Sequence, residues 1–254
     1  MKRTKLGVIS LILVSIWASS PFIGEAKEQK GLVGYWKFDE GSGKKAIDSS
    51  GHENHGVIKG KPKWVRGQFG EALEFDGTTF IEVQDSVSLD IFDELTMQAW
   101  VLVKKYNTAK GNNYVIDKFH VYSLIIRTGG DAGMIEGYVV TSEKGLEVRT
   151  KEKIELNKWF HFASTYDRKT VWTYINGVEK AEGELKGKIK DGEILHIGQY
   201  PQAGYQLIGL LDEVAIFNVA RKEAEIAESM NKGVALAVET SDKLATTWAR
   251  IKGF

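Results

Sequence analysis

The last long apolar run of the chain, residues 207–217, constrains the fold more than any other stretch. Branched and aromatic side chains dominate it, so it predicts one central β-strand that needs covering elements and hydrogen-bonded neighbours. It is interrupted by Asp212 and Glu213, which strand alternation would turn to opposite faces, one of them toward the core or a sheet edge. A carboxylate buried there is costly unless it accepts hydrogen bonds or binds a cation. Asp212 is therefore the residue that most needs a partner.

The rest of the chain has the pattern of many short strands joined by tight turns. Glycine is frequent, at 27 residues against 3 prolines. The dipeptide Asn176-Gly177 predicts a hairpin, because both residues tolerate positive φ. Only residues 222–231 predict a helix, which Gly233 would end. Together these features predict an all-β fold, a two-sheet antiparallel jelly-roll sandwich. The predicted strands are residues 32–38, 72–75, 80–83, 95–103, 114–117, 122–127, 134–141, 146–150, 159–166, 171–175, 194–197 and 207–217.

The first 26 residues have the pattern of a secretory signal peptide. A basic start precedes a largely apolar run at residues 6–17, and the small-residue pattern Gly24-Glu25-Ala26 predicts cleavage after Ala26. The alternative is a retained N-terminal anchor. Residues 27–254 are predicted to be secreted or held at the cell surface, without a transmembrane segment.

Composition excludes several classes of function. The 34 basic and 34 acidic residues give a formal net charge of +0, so there is no global attraction to nucleic acid. The chain has no cysteine, which excludes disulfides and thiolate chemistry in an exported protein. The oligomeric state does not follow from these features.

Motifs of a recognisable kind follow one another across residues 31–231. They are Gly34-Tyr35-Trp36-Lys37-Phe38-Asp39-Glu40, Asp48-Ser49-Ser50-Gly51, Phe75-Asp76-Gly77, Trp159-Phe160-His161-Phe162-Ala163, Tyr174-Ile175-Asn176-Gly177 and Gly209 with Asp212-Glu213-Val214. In this order they resemble the laminin-G-like, concanavalin A-like jelly-roll domains of bacterial exported and surface proteins. The resemblance implies one domain over residues 27–232, followed by a tail at residues 233–254. The chain departs from the family at residues 218–222, where Asn-Val-Ala-Arg-Lys replaces a common Asn-Arg-Ala-Leu-Ser and predicts a weaker helix cap.

Calcium is the cofactor that the sequence allows. The loop at residues 48–54 offers the Asp48 carboxylate, the Asn54 amide oxygen and several carbonyls, the oxygen ligands that Ca²⁺ prefers. The family resemblance implies that Asp212 joins them, or joins backbone oxygens near Asp39 and Gly77, in a structural site. The alternative is that Asp48 caps its own turn and Asp212 accepts backbone hydrogen bonds. The motif His52-Glu53-Asn54-His55 is too short and too loop-like for a zinc site.

The function predicted is an exported, non-catalytic binding or adhesion module that recognises carbohydrate or protein. Aromatic rings stack on sugars, and the tyrosines of two loop regions, Tyr106, Tyr114, Tyr200 and Tyr205, are the candidate ligand-binding residues. One alternative is a glycan hydrolase of a related fold, but no closely spaced acids of the type Glu-x-Asp-x-x-Glu lie on the inward face of a suitable predicted strand. Another is a purely structural protein-interaction domain, which predicts an exposed apolar patch instead of an exposed tyrosine beside a groove.

The tail carries a helical pattern of its own. Leu244, Trp248 and Ile251 fall on one helical face, and Ser241 is suited to the N-cap. The pattern predicts a short amphipathic helix that docks on the domain or serves for recognition or attachment.

Overall fold

The computed structural model of the protein describes residues 29–107, 111–119, 121–202 and 204–234. They form two antiparallel eight-stranded sheets with one helix, which confirms the predicted all-β jelly-roll sandwich. The predicted signal peptide and the predicted tail helix lie outside the described residues. The strands are β1 (Leu32–Trp36), β2 (Lys45–Ala46), β3 (Gly56–Lys59), β4 (Lys63–Arg66), β5 (Glu71–Asp76), β6 (Phe80–Val83), β7 (Leu95–Val103), β8 (Asn113–Lys118), β9 (Tyr122–Ile126), β10 (Met134–Val140), β11 (Gly145–Lys153), β12 (Trp159–Tyr166), β13 (Thr170–Ile175), β14 (Val178–Glu184), β15 (Leu195–Ile197) and β16 (Ile208–Phe217), and the helix is α1 (Glu223–Lys232).

Each sheet follows a simple order. Sheet A runs β14-β13-β12-β7-β16-β5-β4, with β1 beside the second half of β16. Sheet B runs β11-β10-β9-β8-β15-β6-β3-β2. The core between them takes every second residue of the central strand β7, including Met97, Ala99 and Val101, as the period of a strand requires.

A β-bulge in β16 overturns the expectation that Asp212 and Glu213 lie on opposite faces. Leu211 and Val214 both pack in the main core, and the register against β7 shifts between Asp212 and Ala215. Glu213 has φ 53° and is the extra residue of the bulge. Both acids are buried, and Glu213 accepts a hydrogen bond of 2.5 Å from the Tyr35 hydroxyl, in the smaller cluster that Tyr35 forms with Ala215.

The predicted hairpin and helix are present. Asn176 and Gly177 have φ of 49° and 75°, so the turn between β13 and β14 uses two residues in the left-handed region. In α1, the Glu225 carboxylate accepts the Lys222 N–H at 2.8 Å. This bond compensates in part for Lys222 at the N-cap, whose side chain has no oxygen to accept a backbone N–H. Ile226 packs against sheet A.

Three strands are absent from the sequence prediction. β2, β3 and β4 are short and edge-like, with alternating or exposed side chains. Such strands lack the apolar content on which the prediction depended. β14 was predicted as the second strand of the hairpin, over residues 178–180, and extends to Glu184.

In the parts of the chain that the structure describes, no helix is long and apolar enough to cross a membrane.

Candidate functional site

Three of the four candidate tyrosines lie together at one end of sheet B. The Tyr114 ring centroid is 5.0 Å from that of Tyr200 and 6.0 Å from that of Tyr205, and the last two are 5.6 Å apart. Phe119 adds a fourth ring, 5.7 Å from Tyr200. Pairing of β8 with β15 brings the two loops together, and the Tyr114 N–H donates to the Tyr205 carbonyl at 3.3 Å.

Tyr106 does not join this cluster. Its half-buried ring packs against the main core, and its hydroxyl donates to the Ile154 carbonyl at 3.3 Å. Its neighbours are therefore those of a packing residue.

Tyr114 and Tyr200 line a pocket of about 210 Å³ on the outer face of sheet B, called here the sheet B pocket. Strands β8 to β11 form its floor. An open pocket that combines aromatic rings with a few polar groups is the usual form of a small-ligand site. Its lining residues are Asn112, Tyr114, Asp117, Ser123, Ile125, Arg127, Glu136, Tyr138, Glu147 and Tyr200.

Strand pairing explains why these polar side chains share one face. Asp117 lies opposite Ser123, which lies opposite Tyr138, and Tyr138 lies opposite Glu147. Ile125 occupies the next row, where it lies opposite both Tyr114 and Glu136.

The sequence analysis missed Asp117 and Glu136. Tyr114 and Asp117 are three residues apart, so regular alternation would place them on opposite faces, but the register of β8 shifts between Tyr114 and Ile116. The available signal was a single acid inside each of two apolar strands, residues 114–117 and 134–141. An acid in such a strand is costly to bury unless it is hydrogen-bonded or paired, which makes it a candidate functional residue.

Burial changes the acidity of Asp117. Its side chain is 1% exposed, and this desolvation raises its pKa to about 7 against the opposing effect of a hydrogen bond from Ser123 Oγ. The Ser123 hydroxyl donates to Asp117 Oδ1 at 2.6 Å, while Oδ2 is buried and has no hydrogen-bond partner. Asp117 is therefore a group that changes charge near neutral pH.

Glu136 is the second buried carboxyl of the pocket. Arg149 Nε donates to Glu136 Oε2 at 2.9 Å, and Arg127 Nη1 lies 3.4 Å from the same oxygen. Burial raises the pKa of Glu136, and the two guanidinium groups oppose that rise. Glu136 Oε1 and Arg127 Nε are buried without a hydrogen-bond partner.

Two of the candidate metal ligands, Asp48 and Asn54, hold a loop against β1. Asp48 Oδ1 accepts the N–H groups of Tyr35 and Ser50, both at 2.8 Å, and Oδ2 accepts Ser50 Oγ and the Asn54 N–H. The Asn54 amide donates to the Val33 carbonyl and to Ser88 Oγ, and its Oδ1 accepts from Ser86 Oγ. Both side chains have protein partners on every polar atom, as the turn-capping alternative requires.

Asp212 has different neighbours. Its Oδ2 accepts the Phe69 N–H at 2.9 Å, whereas its Oδ1 is buried without a partner. Burial raises the pKa of Asp212 to about 8, and the negative charges of Glu213 and Asp39 add to the rise. The carboxylate of Asp39, which is exposed, accepts the Glu71 N–H at 2.9 Å.

Gly67 and Gly70 shape a close-fitting loop around these two acids. A Cβ at Gly67 would lie 2.5 Å from Asp212 Oδ2, and a Cβ at Gly70 would collide with the Asp39 carboxylate. Only glycine lets the backbone approach the two carboxylates this closely. Among the described residues, no group of three or more His, Cys, Asp and Glu side chains is arranged to hold a metal. Any cation here would therefore depend on the two carboxylates together with carbonyl or water oxygens.

The fold is similar to solved carbohydrate- and receptor-binding domains. Domain 4 of AbnA, an extracellular GH43 arabinanase from Geobacillus stearothermophilus solved in complex with arabinotriose, matches with a TM-score of 0.65 and 23% identity. The match covers 79% of this chain and 98% of that domain. At 23% identity, the match shows similarity of fold alone.

Toxin domains match over a smaller part of their length. The binding domain of Paraclostridial Mosquitocidal Protein 1 has a TM-score of 0.66 and 17% identity, over 79% of this chain and 52% of that one. The binding domain of Botulinum Neurotoxin DC in complex with SialylT has a TM-score of 0.61 and 12% identity, over 79% and 51%. The chain thus spans about half of each toxin domain.

Sequence comparison identifies the family. No curated protein matches the chain. A family model described as the concanavalin A-like lectin/glucanases superfamily, Laminin_G_3, matches residues 75–227, more than half of the chain. This match confirms the resemblance that the motifs predicted: the chain belongs to the concanavalin A-like lectin/glucanases superfamily.

Proposed function

We propose that the protein is a non-catalytic carbohydrate-binding module and that the sheet B pocket is its glycan site. One observation carries the proposal: tyrosine rings and buried carboxyl oxygens without protein partners line the same open pocket. Aromatic faces pack on the apolar faces of sugar rings, and carboxyl oxygens accept hydrogen bonds from hydroxyl groups. The arabinotriose bound to the AbnA domain is further support from a protein of this fold.

Glycan-array screening followed by calorimetry tests the proposal. Tyr200 is half-buried beside the pocket, so Tyr200→Ala removes a stacking surface without emptying the main core. We expect it to weaken glycan binding about 5- to 150-fold, which corresponds to a loss of roughly 1–3 kcal/mol of aromatic contact. Phe92→Ala is the matched control, because Phe92 is an exposed aromatic, 43% accessible, outside the pocket lining. Equal effects of the two substitutions, or an array without any bound glycan, would refute the proposal.

A glycan hydrolase is the second candidate, and one observation favours it. Asp117 and Glu136 are two carboxyl groups with raised pKa in a single pocket, and glycoside hydrolysis uses a pair of carboxyl groups of this kind. The same binding mixtures are therefore analysed for cleaved products. We expect the oligosaccharides to remain intact. If they are cleaved and Glu136→Gln abolishes the cleavage, the protein is a glycan hydrolase and not a binding module.

We also propose that calcium stabilises the fold at Asp212 and Asp39. The support is the partnerless Asp212 Oδ1, the nearby negative charge of Asp39 and the glycine loop packed closely against both carboxylates. Asp39 here takes the place that the sequence analysis assigned to Asp48 and Asn54, whose polar atoms already have protein partners. The ion would be structural, since Asp212 is not among the residues that line the sheet B pocket.

An extracytoplasmic location completes the proposal. Its support is the signal-peptide pattern of residues 1–26 and the extracellular arabinanase among the proteins of similar fold. The ligand of such a protein would be a glycan or a protein at a cell surface.

A further inference from the structure

In the sheet B pocket, the buried hydrogen-bond acceptors without partners outnumber the buried donors without partners. Asp117 Oδ2 and Glu136 Oε1 are both buried and unpaired, on side chains that are 1% and 0% exposed. Arg127 Nε is the unpaired donor that lines the same space. Buried polar atoms without partners are uncommon and cost free energy, so this set indicates a ligand that supplies at least two donors.

The two acceptors lie on either side of β9. Asp117 on β8 is opposite Ser123, and Glu136 on β10 is opposite Ile125, two residues further along β9. The two acceptors therefore lie on strands that flank β9, and they are offset by one row along it. Ile125 of β9 lies in the floor of the pocket. A cyclic ligand that lies on this floor would direct hydroxyl groups to both sides.

The charge of the pocket is negative. Above the pKa of Asp117, the carboxylates of Asp117, Glu136 and Glu147 all line it, and Arg127 is the one cation among the lining residues. A second cation, Arg149, approaches from the edge, but its nitrogens already bond to Glu136, Glu147 and Asp131. A carboxylate on the ligand would meet this negative charge in a partly desolvated space, where like charges repel strongly.

We propose that the sheet B pocket selects neutral sugar units, whose hydroxyl groups donate to Asp117 Oδ2 and Glu136 Oε1, and rejects the corresponding acidic sugars. The inference rests on the proposed function, because it specifies the charge class of the glycan that the pocket takes. Selectivity arises from two effects together: a hydroxyl group satisfies each acceptor, and a uronate replaces one of these donors with a repelled anion.

The test compares matched pairs of ligands on the full-length protein. Neutral oligosaccharides that bind on the array are paired with derivatives in which the primary hydroxyl is oxidised to a carboxylate. The titrations are made at low ionic strength and about pH 8.5, where Asp117 is ionised. We expect the oxidised member of each pair to bind at least about 10-fold more weakly, as expected for an uncompensated charge in a polar site. Asp117→Asn removes one negative charge and places an amide where the ligand donates. The variant should bind neutral glycans more weakly than the wild type. It should also bring the dissociation constants of the oxidised and neutral glycans to within about threefold of each other.

Glu82→Gln is the control for general charge. Glu82 belongs to the same sheet and forms an ion pair of 2.8 Å with Lys59, but it is not part of the pocket lining. The variant should keep the wild-type ratio. The proposal is overturned if oxidised glycans bind as tightly as neutral ones, or if Asp117→Asn leaves the ratio unchanged.

Failure of the selectivity is distinguishable from failure of the proposed function. Acidic glycans that bind tightly and lose affinity in Tyr200→Ala would keep the pocket as a glycan site and overturn only its preference for neutral sugars. A protein that binds neither class would overturn both.

Discussion

Burial makes Asp117 a group through which stability depends on pH. Its pKa is about 7 in the folded protein, well above the usual range of an aspartate. The folded state therefore holds a proton that the unfolded state releases between about pH 4 and pH 7, and the free energy of unfolding falls as pH rises through this window. Asp117→Asn removes the ionisation. The variant should match the wild type near pH 4 and exceed it at pH 8 by up to about 4 kcal/mol, measured by urea unfolding at several pH values.

Asp76 supplies the opposite control. Burial alone would raise its pKa, but hydrogen bonds from Thr78 and Thr79 outweigh that effect and lower the pKa to about 2. This stabilisation is present above the pKa of the unfolded state and disappears as pH falls toward 2. Asp76→Asn should thus destabilise the protein at pH 8 and less at pH 3. A gain in stability at pH 8 from Asp76→Asn, or none from Asp117→Asn, would contradict the two assignments.

The limits of sequence reasoning at this scale come from backbone irregularity. Tyr114, Tyr200 and Tyr205 were predictable because aromatic residues in loops between strands point to a binding rim. Asp117 and Glu136 were not, because a residue's face is read by counting along a strand, and the shift in β8 between Tyr114 and Ile116 breaks that count. The bulge at Glu213 misleads in the same way about Asp212.

At the scale of the element, the loop at residues 48–54 depends on one side chain. Asp48 accepts four hydrogen bonds, three of them from backbone N–H groups of Tyr35, Ser50 and Asn54. Asp48→Ala leaves these donors without a partner in a buried position. We expect a loss of about 2–4 kcal/mol in the free energy of unfolding, measured by chemical denaturation.

Asp48→Asn refines the test. The asparagine keeps one acceptor oxygen and replaces the other with a donor, so it should recover only part of the loss. Ile47→Ala is a neighbouring control, because Ile47 is 45% exposed and should cost little. A variant Asp48→Ala as stable as the wild type would show that the loop does not need its carboxylate.

The elements themselves were predictable where hydrophobic content was high. All twelve predicted strands are present, and α1 begins and ends within one residue of residues 222–231. The missed strands β2, β3 and β4 owe their place to pairing with a neighbour already formed, as β4 pairs with β5. Pairing of this kind is a tertiary property that residue composition alone does not encode.

At the scale of the whole molecule, the proposed ion at Asp212 of β16 and Asp39, which follows β1, gives a prediction for calcium. With its pKa raised to about 8, Asp212 is partly protonated at neutral pH, and a bound cation must displace that proton. Calcium should therefore raise the melting temperature, and the rise should be larger at pH 8 than at pH 6. At roughly 100 times its dissociation constant, calcium would add about 2.7 kcal/mol of stability, or roughly 5–10 °C for a protein of this size. Thermal unfolding with calcium, and then with a chelator, measures both effects.

Paired variants separate a calcium site from simple packing. Asp212→Asn should abolish the calcium-dependent rise and, because it removes a buried charge, should melt at or above the temperature of the metal-free wild type at pH 8. Asp48→Ala should melt lower than the wild type yet keep the full calcium response, because the Asp48 carboxylate is occupied by the loop at residues 48–54. If Asp48→Ala loses the response and Asp212→Asn keeps it, the ion belongs at the loop and the assignment to Asp212 and Asp39 is wrong. If calcium changes neither the wild type nor any variant, Asp212 has only backbone hydrogen bonds such as the one from Phe69, and its buried charge is a cost that the rest of the fold offsets.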